Sequence, residues 1–422
     1  MVYQYILHSP LESEISAKNR WEPVLKSLSG NEGIPLKEAG CFSEKEQLEK
    51  KLMTATEKPL AMVLVIASGG TERLAQTAAT RAKCPVLLVC DHQKNSLAAS
   101  IEIHAEIKKH QPVKLLYIKD REKARTEFNS FFRVIHALEQ VNLSRIGIIG
   151  EPSHWLLTSD GLNGFGSFQT KLEKIPIREL LENFENIKDA ETKRKLESIR
   201  KTYGKISVSD KSLSDSIKAY LAIKRIIEKY RLNAITIKCF DLLEHGFTAC
   251  MAMSFLNDEG LTAGCEGDLH AVFSMIAGQH LGAGPVWMAN PSSIDPEENT
   301  LTLAHCTIAS NMLDNLQQAD LTTHMESDIS TAISGPLKKQ EVTVFRSGGR
   351  FEEICAIKGL IIDTNMNNQQ LCRTQAVIKS ESPVSKWLEQ TPGNHQVLVY
   401  GDIRPLLKSF CEFTGLKYNK PG

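Results

Sequence analysis

Short apolar runs of strand length, each followed by a stretch with helical spacing, constrain this chain more than any other feature. Leu60 to Ala67 reads as a strand, Thr71 to Arg81 as a helix and Pro85 to Cys90 as a strand. A helix through Ser96 to Lys109 and strands at Val113 to Ile118 and Arg145 to Ile149 continue the series, which predicts parallel βα units in a doubly wound sheet. Gly69-Gly70, after the first of these strands, gives a tight turn into a helix rather than a dinucleotide fingerprint. The alternation loosens from Glu151, where a glycine-containing loop leads into a charged helical stretch from Ile177 to Lys229, best read as a solvated helical face. It resumes with strand Ala234 to Cys239, helix Phe247 to Asn257, strand Leu261 to Cys265, helix Leu269 to His280 and strand Pro285 to Ala289. Beyond His305 helical patterns nearly vanish, and strand-like runs such as Glu341 to Phe345, Ile354 to Ile362, Gln375 to Ile378 and Gln396 to Tyr400 are separated by turns. The expected organisation is therefore an α/β domain over 1–157, a second over 158–300 and a mainly β domain over 301–422.

The length of 422 residues suits two or three units with cores of their own. Lys plus Arg (50) balances Asp plus Glu (50), which removes the basic excess that nucleic acid or an anionic membrane surface would require. No apolar run approaches a membrane span, and the first residues read as a strand without a charged leader. The ten cysteines form no CxxC pairs, and several lie beside or inside apolar strand patterns, where a thiol acts as a small hydrophobe. These features point to a cytoplasmic protein with no nucleic-acid and no membrane partner.

Two residues stand where predicted strands run out: Glu266 in Cys265-Glu266-Gly267-Asp268 and His305 in Leu303-Ala304-His305-Cys306. His395 follows the turn Pro392-Gly393 ahead of another strand. A carboxylate with imidazoles, among amide and acid oxygens, suits a divalent ion that shares its coordination sphere with an oxygen-rich substrate. On the expected βαβαβ topology, Glu266 and Asn290 fall at the carboxyl ends of neighbouring strands, where open α/β sheets place their ligands.

The stretch from Ile235 through Asn257-Asp258-Glu259-Gly260 to Cys265-Glu266-Gly267-Asp268 resembles the L-fucose isomerase and L-arabinose isomerase superfamily, in its shorter fucose isomerase-like group. Met288-Ala289-Asn290-Pro291, Leu303-Ala304-His305-Cys306 and Gly393-Asn394-His395 continue the match in the same order. The resemblance implies two Rossmann-like α/β domains followed by a β-barrel-like domain, and a homo-oligomer, trimeric or hexameric. It also implies a divalent metal, usually Mn2+ with Mg2+ or Co2+ as alternatives. By motif, Glu266 takes the place of the first metal carboxylate, His395 that of the histidine from the last domain, and His305 that of a ligand in the arabinose branch. The implied reaction interconverts an aldose (fucose, arabinose or a modified hexose such as a sulfonated one) and its ketose by proton transfer through an enediol.

One departure matters. The superfamily has a second carboxylate where this chain has Asn290, whose amide oxygen can bind a cation or a sugar hydroxyl but cannot shuttle a proton. Asp268, Asp241, Asp295 or a water on the cation could replace it, although Asp268 also reads as the cap of the helix at Leu269 and Asp295 as a turn residue. If none does, a sugar-binding or regulatory protein, or an epimerase, is the alternative. Trp287 could stack on a sugar face or pack in the core, and Arg346 could reach a hydroxyl or an acidic substituent of the substrate.

Overall fold

In the N-terminal part the expected strands and helices form, and they form a doubly wound layer. The computed structural model describes residues 1–28, 35–54, 57–282 and 284–421. Its first unit comprises Met1–Glu139 with Lys408–Gly415. Strands β1 (Val2–Leu7), β2 (Leu36–Phe42), β3 (Ala61–Ile66), β4 (Val86–Cys90) and β5 (Val113–Tyr117) make a parallel sheet in the order β2-β1-β3-β4-β5. Alternate side chains of each strand enter two separate cores. Val63 and Val65 share one with Trp21, Phe128 and Phe131. Met62 and Leu64 share the other with Leu74, Ala78 and Ile103. Helices on both faces explain why the inner strands β3 and β4 are apolar without interruption.

The second unit, Gln140–Leu407 with Leu416–Gly422, combines a parallel sheet with a closed barrel. Strands β6 (Arg145–Ile149), β7 (Lys171–Ile175), β9 (Ala234–Ile237) and β10 (Thr262–Cys265) form the sheet β10-β9-β6-β7. The barrel uses β11 (Trp287–Asp295), β12 (Thr300–His305), β15 (Glu341–Gly348), β16 (Glu353–Thr364), β17 (Thr374–Ser380) and β18 (Gln396–Tyr400). It runs antiparallel as β15-β18-β11-β12-β17-β16 and closes by pairing β16 with β15, which leaves none of the six with an open edge. A short β19 (Lys417–Asn419) adds in parallel to β16, and β8 (Lys205–Ile206), β13 (Asp320–Thr322) and β14 (Ala332–Ser334) make a small third sheet. The fold class is thus two parallel α/β layers and a β-barrel.

The βαβαβ reading of the middle of the chain needs one correction. After the helix Leu269–Gly282 the chain leaves the parallel sheet, and β11 pairs antiparallel with β12 and β18 in the barrel. Asn290 consequently lies inside a nine-residue strand opposite Ala304, not at a carboxyl end beside Glu266. Pro291 has no N–H to offer a ladder. The structure accommodates it at a register shift between Pro291 and Ser293, so the strand continues to Asp295. The helix Leu269–Gly282 is buried almost all round, as its lack of a polar face requires. Beyond the helices already placed, Val384–Gln390 and Arg404–Thr414 interrupt the β-rich part, where few helices were expected.

Candidate metal centre

Strand β10 ends at Cys265, and the next two residues both take left-handed backbone conformations, Glu266 with φ 63° and Gly267 with φ 72°. Such a conformation is open to glycine but costs a residue with a Cβ about 1–2 kcal/mol. At Gly267 there is no room for a Cβ either, because one would meet the Glu151 carbonyl oxygen and Pro152 Cα at 2.7 Å. The turn is fixed from outside by the Ser153 N–H, which donates to the Glu266 carbonyl at 2.8 Å. It places the Glu266 side chain beside His305 and His395 and delivers Asp268 to the head of the helix at Leu269.

Glu266, His305 and His395 come together there. One ligand atom from each lies within 4.8 Å of the others, so this buried group could hold a metal ion. His395 is fully buried and His305 is 5% exposed; the Glu266 side chain is 12% exposed. His395 Nε2 is 3.4 Å from Glu266 Oε1, too far for a well-formed hydrogen bond, and has no hydrogen-bond partner. Asn290 Oδ1 is a second buried atom without a partner. Unpaired buried polar atoms are costly unless something fills the gap, and a carboxylate with two imidazoles is a donor set that fits a divalent cation.

Behind the ligands is a network that the sequence did not suggest. His395 Nδ1 donates to Asp268 Oδ2 at 2.8 Å, which leaves Nε2 to face Glu266. Asp268 is fully buried and accepts from Arg346 Nη1 at 2.9 Å and Nη2 at 3.3 Å, while Nη1 also donates to the His395 carbonyl at 2.7 Å. Asp268 Oδ1 accepts from the Ala271 N–H at 3.0 Å, so the helix-cap reading holds as well. Gly393 admits the guanidinium, since a Cβ there would lie 2.5 Å from Arg346 Nε. Two expectations change as a result. Arg346, expected to face a substrate, has no exposed surface and donates instead to Asp268 and the His395 carbonyl. Asp268, locked in an ion pair, is placed to orient His395 and not to exchange protons.

Trp287 resolves to core packing. It is 1% exposed, and its indole N–H donates to the Thr307 carbonyl at 2.7 Å, bracing the segment after His305. The exposed aromatic of the site is Trp155, 41% accessible, whose Nε1 donates to Glu266 Oε2 at 2.6 Å. Its ring meets Phe240 edge-on at 5.0 Å, and Phe240 meets His324 in the same way at 5.8 Å. Neither Trp155 nor His324 belongs to a motif or a periodic pattern; the only available signal was an aromatic in the loop after β6.

Burial pushes the Glu266 carboxyl up, but His395 and the Trp155 hydrogen bond outweigh it and hold the group below its usual range. Burial would lower His395, yet the hydrogen bond to Asp268 and the nearby Glu266 raise it to about 9. Burial, with His395 beside it, lowers His305 to about 3. Asp268 is also penalised by burial, but Arg346 and His395 bring it far below the ordinary carboxylate range.

The chain is similar to proteins named sulfoquinovose isomerase. That of Alkalicoccus urumqiensis is 25% identical over 299 residues, 67% of this chain and 66% of the relative. That of Clostridium sp. (strain MSTE9) is 25% identical over 300 residues, 67% and 65%. That of Priestia aryabhattai is 23% identical over 323 residues, 73% and 72%. The chain thus spans just under two thirds of the length of the first two. No family model matches the chain.

Two outcomes follow from the network. Asp268→Asn leaves the Arg346 charge buried and uncompensated, and denaturant unfolding should show a loss of about 3–5 kcal/mol. The double substitution Asp268→Leu/Arg346→Met should recover most of that stability without restoring cation affinity, and a single variant within about 1 kcal/mol of the parent would contradict the assignment. The second outcome concerns pH. A cation must displace the His395 Nε2 proton anywhere below about 9, whereas His305, at about 3, has none to lose near neutrality. Cation affinity should therefore rise about tenfold per pH unit up to that point and then level off, with nearly one proton released near neutral pH. Calorimetry in buffers of different ionisation enthalpy reads the proton directly, and a flat profile with no release would contradict this.

Proposed function

We propose that the chain is a metal-dependent aldose–ketose isomerase, with a divalent cation, Mn2+ first and Mg2+ or Co2+ as alternatives, held by Glu266, His305 and His395 and with Asn290 Oδ1 as a further oxygen donor. The observation that carries the reading is the convergence of these residues from β10, β12 and the start of β18 on one buried point. Similarity to sulfoquinovose isomerases supports a sulfonated hexose as the substrate class, ahead of fucose or arabinose. Assembly as a trimer or hexamer and a cytoplasmic setting belong to the same proposal. All ten cysteines are unbridged, as a reducing compartment keeps them, and no described helix is long and apolar enough to cross a membrane.

The chemistry follows from the residues. A cation bound here supplies positive charge beside the two adjacent oxygens on which negative charge builds. Glu266, held ionised, takes the hydrogen from C2 and returns it to C1. Trp155 fixes one oxygen of that carboxylate, while Asp268 keeps His395 in the tautomer that presents Nε2. Arg346 in turn keeps Asp268 charged. A reading in which the site binds sugar without converting it takes its support from Asn290, which stands where a second acid was expected.

With sulfoquinovose as the probe, activity should vanish on chelation and return with Mn2+. Glu266→Gln should fold normally yet lose turnover by about 10²–10⁴. Hydrogen exchange at C2 in deuterated water separates the readings: binding without exchange favours the non-catalytic one, and activity in a metal-free preparation counts against the proposal.

A further inference from the structure

Converting an aldose to its 2-ketose relocates two hydrogens. The one on C2 ends on C1, and the hydroxyl hydrogen on O2 ends on O1. The C2–H and O2–H electron pairs and the C1=O π pair rearrange through an enediol, so no oxidant or reductant is needed. Glu266 serves the carbon-bound hydrogen; the oxygen-bound one needs a second carrier. Each side chain considered from the sequence is otherwise engaged. Asp268 is paired with Arg346. Asp295 Oδ1 accepts from the N–H groups of Glu297 and Glu298, at 3.0 and 2.9 Å, as a turn residue does. Asp241 pairs with Lys238 at 3.2 Å, and the Asn290 amide has no proton to give at neutral pH.

We propose that His324 carries the hydroxyl hydrogen from O2 to O1 through its Nε2. The assignment rests on the isomerase reading above. His324 is 8% exposed and belongs to the aromatic series that ends on Glu266: His324 against Phe240, Phe240 against Trp155, and Trp155 bonded to the carboxylate. It lies within electrostatic reach of both Glu266 and His305. Ser327 Oγ, 2.9 Å from Nδ1, fixes the ring and leaves Nε2 as the working nitrogen.

The loop that presents it is clamped on itself and on β17. The His324 N–H donates to Ile329 O and the Asp328 N–H to His324 O, both at 3.0 Å. Arg373, just ahead of β17, donates from Nε to Thr323 O at 2.9 Å and from Nη2 to Asp328 Oδ1 at 3.0 Å. Asp328 (φ 52°) and Ser330 (φ 58°) hold left-handed conformations, which persist only where the surroundings over-determine them. Firm support of this kind is what a proton-transfer group requires. The charged groups around the ring are Arg373, Glu266 and Asp328, and burial together with Arg373 keeps it neutral and able to accept a proton. Glu326, two residues on, is also within reach of Glu266 and is the natural control.

The test uses Mn2+-loaded protein with sulfoquinovose as the probe. His324→Asn and His324→Ala should lower kcat by about 10² or more. KM, and the Mn2+ Kd read by calorimetry, should stay within about threefold of the parent, since the residue transfers protons and does not hold the cation. Added imidazole should restore the His324→Ala variant by about tenfold, which it would not do for a residue that merely supports the fold. Glu326→Gln should keep its turnover. Near-parental kcat in His324→Asn, a loss that imidazole leaves unrestored, or a loss in Glu326→Gln alone would overturn the assignment. A parent protein that neither exchanges C2 hydrogen nor turns over overturns the isomerase reading, and the role of His324 falls with it.

Discussion

The buried ion pair between Asp268 and Arg346 is the interaction on which the second unit's site depends. Neither side chain has any exposed surface, so each charge is tolerable only because the other is there. Asp268 stands where β10 gives way to a central helix, Arg346 stands on barrel strand β15, and His395, held by both, stands at the head of β18. One carboxylate thus joins the parallel sheet to the barrel and sets the orientation of the His395 imidazole. Stability and site geometry are the same contact seen from two sides.

The three residues that come together at the candidate site were legible in the sequence because they obey local rules. A carboxylate just past a strand, a histidine at a strand end and a histidine after Pro392-Gly393 are placed by turns whose chemistry can be read directly. The doubly wound first layer was legible for a similar reason: its strands are short, apolar and regularly spaced. Asn290 was misplaced because the sequence pattern predicts that the strand after the helix Leu269–Gly282 rejoins the parallel sheet, whereas it enters the barrel and runs on past Pro291 at a register shift. The cap role of Asp268 could be read locally, but its ion pair with Arg346, 78 positions away, leaves no local trace. Trp155 and His324 were missed for the same reason, since both owe their position to loops whose conformation depends on distant partners.

The arrangement also separates two properties that a metal site must combine. His305 is kept neutral by burial and is ready to bind, whereas His395 is kept protonated by the acids on both of its sides. A cation at the candidate site would replace that proton with charge held at the same place. The carboxylates that raise His395 are therefore the ones that would favour the cation, and Trp155 covers the remaining oxygen of Glu266 from the solvent side. The similarity to proteins named sulfoquinovose isomerase is at about a quarter identity over some two thirds of the chain.

The most direct measurement is anomalous diffraction at the manganese absorption edge from crystals soaked in Mn2+. The account predicts a single strong peak within about 2.3 Å of a Glu266 oxygen and of one ring nitrogen each from His305 and His395, the usual range for such ligands. A peak elsewhere, or one that Glu266 and His395 do not share, would contradict it.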